Sequence, residues 1–257
     1  MTGGSDMVER RLSCLSFSFS VAFFLGEALR KHPLPTLFFP RPYDVFRKEN
    51  FRYVSIFNLT TYQKVFPSQR SCDFFEKLRA DLKGVTFLSF IDSGNKSISE
   101  AMVENQRVIK LTMKVVGYPD LVPRTVKEWL QCLMNVLMCL TGMHRKGYCH
   151  GDVRMSNVVY VPQHPDIQGT VGWYLIDIEY ACPFQDEGHI PKYANADFAE
   201  KVSQVGMSAE LDMFMLDDLI RKNMRPHFSL PQLDDVDFST LSSVAALDLL
   251  QTIQLDE

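Results

Sequence analysis

The spacing of apolar and polar positions changes character along this chain. Phe51 to Phe57 and Thr60 to Phe66 are rich in β-branched and aromatic residues and read as two strands, with Asn58 and Leu59 at the turn between them. Ser71 to Leu82 switches to a helical period: Phe74, Phe75, Leu78 and Leu82 share a face, and Gly84 closes the run. Val85 to Ile91 reads as a strand that ends in the turn Asp92-Ser93-Gly94-Asn95, and Arg107 to Val116 as another. Pro119 and Pro123 then break the pattern. Val126, Leu130, Leu133, Leu137, Leu140 and His144 follow at three- and four-residue spacing, predicting a long amphipathic helix that ends at Gly147. Val158 to Val161 and Trp173 to Ile176 read as a hairpin joined by a polar loop. Ser208 to Arg221 and Leu241 to Ile253 read as helices, and residues 229–237 as an acidic loop. Strands dominate early and helices late, which predicts an α+β fold in two parts, not a doubly wound sheet.

The leader is different in kind. Leu12 to Leu29 is apolar but diluted by serine, preceded by Arg10 and Arg11 and followed by the Pro-rich stretch 32–45. It fits a signal-peptide core with Gly26-Glu27-Ala28 as cleavage site, a marginal membrane span, or a docking helix. Its serines and its few leucines argue against a span, and no later stretch approaches membrane length. The expected organisation is a leader and connector over 1–40, a β-rich unit over 41–116 and a helical unit over 117–257.

Composition narrows the function classes. The chain has 257 residues, of which 46% are hydrophobic, enough for one large core or two smaller ones. With 27 basic and 31 acidic residues, the net charge of -4 carries no basic excess, which argues against nucleic acid as a partner. Six scattered cysteines, without a CxxC pair, suit reduced thiols in an intracellular, cytoplasmic protein, although the leader leaves secretion open.

The densest chemistry lies at His150-Gly151-Asp152-Val153-Arg154-Met155-Ser156-Asn157, with Asp177-Ile178-Glu179 after the hairpin. An Asp and an Asn five apart, and a second Asp at a hairpin end, suit a magnesium–triphosphate and a hydroxyl acceptor. From Thr125 to Ile220 the chain resembles the protein kinase-like superfamily. The residues that carry the likeness are Tyr148-Cys149-His150-Gly151-Asp152 with Asn157, then Leu175-Ile176-Asp177-Ile178-Glu179-Tyr180-Ala181. The His-Gly-Asp and Asp-x-Glu forms look like aminoglycoside and choline kinases. Asp152-x-Arg154 and the helix beginning Leu211-Asp212-Met213-Phe214 look closer to protein kinases. Crinkler-type effector kinases mix these traits in a similar way.

The resemblance implies a bilobal fold, with a small β-rich N-lobe and a short helical C-lobe, and an ATP- and Mg2+-dependent phosphotransferase. Asp152 would take the proton of the attacking hydroxyl. Asn157 and Asp177, assisted by Glu179, would hold Mg2+ through oxygen. Arg154 would neutralise phosphate charge. Lys64 would reach the nucleotide and pair with Glu76, with Lys110 as the alternative lysine and Glu100 and Glu104 as rival acids. His150 would be structural. Asp212 would either bond the backbone around His150 or sit on a helix surface. The acceptor would be a protein Ser/Thr or a small-molecule hydroxyl. No glycine lies between Gly26 and Gly84, so a Gly-rich phosphate loop has no candidate, and a non-catalytic binding scaffold on the same fold is the competing expectation.

Overall fold

The computed structural model describes residues 56–57, 61–68, 70–94, 96–103, 105–114, 121–161, 171–186 and 196–253. The leader, the Pro-rich connector, the turn at Asn58 and Leu59, and Glu104 lie outside the described residues. What is described is a mixed α and β fold: one five-stranded antiparallel sheet, two short antiparallel ladders and a set of helices.

The sheet is built from β1 (Ile56–Phe57), β2 (Thr61–Pro67), β3 (Phe90–Ile91), β4 (Ile98–Val103) and β5 (Gln106–Lys114). β5 is its spine. β2 runs antiparallel along one side from Thr61↔Lys114 to Pro67↔Val108. On the other side β4 pairs from Ile98↔Leu111 to Val103↔Gln106, and β3 continues at Phe90↔Lys114 and Ile91↔Met113. Successive side chains of a strand point to opposite faces. Ile109, Leu111 and Met113 therefore share the buried face of β5, and Lys64 and Phe66 share that of β2. Lys64 is thus a lysine on a core-facing position, 4% exposed. A buried ammonium needs charged partners.

Helix α1 (Cys72–Asp81) packs on this face, with the Phe75 ring edge-on to Phe66 at a centroid distance of 5.7 Å. Ser71 caps it, its hydroxyl accepting from Phe74 N at 3.2 Å. Both ends are tied down. Arg70, just before the cap, pairs with Asp186 at 2.9 Å, and Tyr148 Oη donates to Asp81 at 2.5 Å.

The long helix α2 (Val126–Arg145) starts at a capping box: Thr125 Oγ1 accepts from Glu128 N at 3.1 Å, and Glu128 Oε2 accepts from Thr125 N at 3.2 Å. Leu133, Val136, Leu137, Leu140 and Met143 on it are fully buried. After it come two ladders, β6 (Tyr148–Cys149) with β9 (Cys182–Pro183), and β7 (Val158–Val161) with β8 (Gly172–Leu175). Asn135 Oδ1, buried on α2, accepts from Trp173 N at 3.0 Å and fixes β8 against the helix. The remaining helices are α3 (Ala196–Val205), α4 (Ala209–Asn223), the short α5 (Pro231–Asp234) and α6 (Ser243–Thr252), which packs on α2. Among the described residues no helix is long and apolar enough to cross a membrane.

Two expectations are corrected. Val85 to Ile91 is not one strand: only Phe90–Ile91 joins the sheet, because Leu88 forms a parallel bridge with Leu175 instead. That bridge, with Ser89 N to Leu175 O and Leu175 N to Phe87 O both at 2.9 Å, ties the segment before β3 to the hairpin. Residues 229–237 include the helical turn α5, started by Pro231 at a helix-compatible position. β4 and α3 were not expected. Glu100, Ala101 and Met102 are exposed, so β4 shows no apolar alternation, and α3 offers only the three-residue stripe Phe198, Val202 and Val205.

Replacing Leu137, fully buried on α2, by Ala should lower unfolding free energy by about 2–5 kcal/mol. Thr125→Ala, which removes the cap of the same helix, should cost about 1 kcal/mol. Urea midpoints of the two variants check the order.

Candidate active site

The loop between β6 and β7 is shaped by a carboxylate that sits beneath it. Asp212, in the first turn of α4 and 0% exposed, accepts from His150 N through Oδ2 at 2.8 Å and from Gly151 N through Oδ1 at 2.9 Å. His144 Nε2, at the end of α2, meets the same Oδ2 at 2.9 Å, and His144 Nδ1 lies 3.0 Å from Ser243 Oγ on α6. Of the two expectations for Asp212, backbone anchor or helix-surface carboxylate, the structure has the anchor. Neither Asn135 nor His144 was expected as a structural group; His144 continues the apolar stripe of α2, which is the signal for a buried hydrogen bond, whereas Asn135 lies off that stripe.

Gly151 is required where it stands. Its φ is +73°, and a Cβ there would lie 2.7 Å from the Met207 methyl and 3.0 Å from the Tyr180 carbonyl oxygen. His150 is buried, as expected of a structural residue. Its Nε2 lies 3.1 Å from Ile176 O, which can only accept, so Nε2 carries the proton. Nδ1 then accepts from Asp152 N at 3.3 Å. Burial holds the ring below its ordinary pKa, against the opposing pull of Asp212, Asp152 and Asp177, so the neutral form is favoured.

Asp152 and Asn157 form one unit. The Asn157 amide nitrogen donates to Asp152 Oδ2 at 2.6 Å and to Asp152 O at 3.0 Å. Its side-chain oxygen is left as the acceptor. Asp152 is 1% exposed, and its Oδ1 is buried without a hydrogen bond. Arg154 Nε stands at ion-pair distance from that atom, 3.1 Å, but without hydrogen-bond alignment; the Arg154 side chain is 44% exposed.

The hairpin brings the second aspartate to this unit. Ile176 N donates to Asn157 O at 2.8 Å, extending the β7–β8 ladder by one bond, and Asp177 follows at once. Asp177 has left-handed backbone, φ 71° and ψ 66°, unusual for a residue with a Cβ and a form of strain that clusters at functional sites. A single 3-10 turn, Ile178–Tyr180, then places Glu179 beside it. Lys64 joins both acids: its Nζ pairs with Asp177 Oδ1 and lies 2.8 Å from Glu179 Oε2. Burial pushes the Asp177 carboxyl up, but the Lys64 charge and hydrogen bond outweigh it, and the net position is below the ordinary value. Glu179 goes the other way: burial raises it above the ordinary carboxylate value, Asp177 and Asp152 add to the rise, and Lys64 offsets these only in part.

The sequence-derived set is therefore gathered, with one exception. Glu76, expected as the partner of Lys64, is 45% exposed and pairs with Arg79 one turn along α1. The rival acid Glu100 pairs with Arg107 at 2.6 Å. Lys110 lies opposite Val65 and Ser99 in the sheet. The lysine is the expected one; its acids come from the hairpin and not from the helix.

The donor set suits a hard cation. An amide oxygen at Asn157 and carboxylates at Asp177 and Glu179 are the oxygen ligands Mg2+ prefers, and Mg2+ is commonly held by one or two carboxylates with phosphates completing its shell. Among the described residues no three His, Cys, Asp or Glu side chains gather at metal-ligand spacing.

No protein-family model matches the chain. Over 90 residues, 35% of this chain, it is 37% identical to Crinkler effector protein 8 of Phytophthora infestans. The match spans 13% of that protein's length.

Gly151→Ala should cost more stability than Gly84→Ala. Both force a side chain to positive φ, worth about 1–2 kcal/mol, but a Cβ at Gly84 meets nothing within 4 Å. Denaturant midpoints compare them. A second expectation concerns pH. The unfolded chain protonates His150 at the ordinary value of 6.5, whereas the folded chain does so lower. The unfolded state therefore binds more protons as pH falls through 6.5, and that part of the stability is lost on acidification. His150→Gln should show a shallower fall in unfolding free energy between pH 7 and pH 5 than the parent, read from denaturant titrations across that range.

Proposed function

We propose that this protein is an ATP- and Mg2+-dependent phosphotransferase of the protein kinase-like superfamily, with a bilobal arrangement and a protein Ser/Thr hydroxyl as acceptor. The observation that carries the reading is the convergence of Asp152, Asn157 and Asp177: one hydrogen-bonded unit, joined through the Asn157–Ile176 backbone bond to the residue before Asp177. The partial likeness to Crinkler effector protein 8 is consistent with the Crinkler-type features of the sequence.

Bound Mg2+ would supply charge neutralisation for the triphosphate, held by Asn157 Oδ1 and Asp177 with Glu179 in support. Everything else falls to the chain. Asp152 is oriented by Asn157 Nδ2 on one oxygen, which leaves Oδ1 to accept the proton of the acceptor hydroxyl as the phosphoryl group transfers. His150 stays neutral beneath the loop and fixes the Asp152 backbone. Arg154 must leave Asp152 Oδ1 for the hydroxyl to approach, and its exposure permits that movement onto phosphate. Lys64 would take phosphate oxygens from the strand side.

Two alternatives have an observation each. Glu179, paired with Lys64 beside Asp177, favours a small-molecule acceptor of the aminoglycoside or choline type. The absence of glycine between Gly26 and Gly84 favours a catalytically weak binding scaffold. Incubation with Mg2+ and γ-labelled ATP, with a generic protein acceptor or a panel of amino sugars and choline, separates them. Transfer to protein is expected, falling by roughly 10²–10⁴-fold in Asp152→Asn. Asp177→Ala should abolish Mg2+ dependence. Turnover unchanged in Asp152→Asn would remove the base from the mechanism, label on an amino sugar or choline alone would select the first alternative, and ATP binding without turnover the scaffold.

A further inference from the structure

Three carboxylates and two cations share the site, and in the structure each carboxylate already has its cation. Arg154 faces Asp152, and Lys64 bridges Asp177 and Glu179. The Lys64 ammonium stands between the two acids offered to the metal, at hydrogen-bond range of both. Its strand position is fixed by the register Lys64↔Leu111, and its stem runs across the apolar face of the sheet, with Nζ 5.2 Å from the centre of the Phe66 ring. The ammonium is the buried positive charge that makes two close, partly buried carboxylates tolerable.

Resting on the phosphotransferase reading, we propose that Lys64 is a resident counter-cation of the metal site, and that a divalent ion enters only together with a triphosphate, which draws the ammonium off Asp177 and Glu179. A bare divalent ion would have to share the two acids with an ammonium already seated between them. Like charges a few ångströms apart in a partly buried site repel strongly. A triphosphate changes the balance, because its oxygens offer Lys64 an equivalent partner at the moment the carboxylates are released to the metal. Lys64 thereby couples metal binding to nucleotide binding, and Glu179 acts as the second acid that keeps the ammonium in place.

The test uses Mn2+ as a paramagnetic probe, read by electron paramagnetic resonance or water-proton relaxation on the full chain. The parent should bind Mn2+ with a non-hydrolysable ATP analogue and show at least tenfold weaker binding of Mn2+ alone. Lys64→Met should bind Mn2+ alone at least tenfold more tightly than the parent, and Asp177→Asn added to it should remove that gain. Lys64→Arg keeps the charge and should behave as the parent toward Mn2+ alone. Equal binding of Mn2+ alone by parent and Lys64→Met would overturn the inference while the phosphotransferase reading stands. Failure of the parent to bind Mn2+ with the analogue would overturn both. If Lys64→Met does not fold, the parent decides: binding of Mn2+ alone as tight as with the analogue overturns the inference, and a tenfold or larger gain on adding the analogue supports it.

Discussion

The buried carboxylate of Asp212 sets the geometry on which the rest of the site depends. It receives two consecutive backbone N–H groups, of His150 and Gly151, and a ring nitrogen of His144. Two consecutive donors can point at one carboxylate only if the chain turns sharply between them, and the left-handed φ of Gly151 provides that turn. The turn aims Asp152 away from Asp212 and toward Asn157. A buried carboxylate without these donors would be strongly destabilising, so anchor and loop conformation stabilise one another. The chain from Ser243 on α6 through His144 to Asp212 extends the same network to the last described helix.

A second constraint acts across the fold. The strand that carries Lys64 and the hairpin that carries Asp177 are separate in sequence, and three connections hold them together. The Leu88–Leu175 bridge joins the segment before β3 to the hairpin. Arg70 reaches Asp186 beyond β9, and Asp81 at the end of α1 receives Tyr148 Oη from β6. With α1 tied at both ends, Glu76 stays on the outer face with Arg79, and the acids that meet Lys64 are the ones the hairpin delivers.

How much of this was legible in the sequence follows from the range of each interaction. The stripe from Leu130 to Leu140 and the β7–β8 hairpin are local, and the residues state them directly. Asp152, Asn157 and Asp177 were legible too, because a short loop and a hairpin fix their separation. The partner of Lys64 was not: Glu76 and Glu179 both have the right charge, and only the tertiary ties of α1 decide between them. β4 was silent because an exposed edge strand carries no apolar alternation, as at Glu100, Ala101 and Met102. Leu88 looked like mid-strand, yet its hydrogen-bonding partner is Leu175, far along the chain and in another ladder.

The two halves of the site therefore differ in kind. The loop half, His150 to Asn157, is held by directional hydrogen bonds among buried groups, with the proton of His150 fixed on Nε2 and the amide of Asn157 committed to Asp152. Such bonds are insensitive to screening and have a single satisfied arrangement. The hairpin half, Asp177 and Glu179, is held by charge: an ammonium on a flexible stem, non-directional and exchangeable for any other cation of sufficient charge. A polyanion approaching the site would have two cations to draw on, Lys64 in the second half and the partly exposed Arg154, which faces Asp152, at the rim of the first. Response to a charged ligand would then belong to those two side chains, while Asp152 and Asn157 keep the fixed geometry that the proposed proton transfer needs.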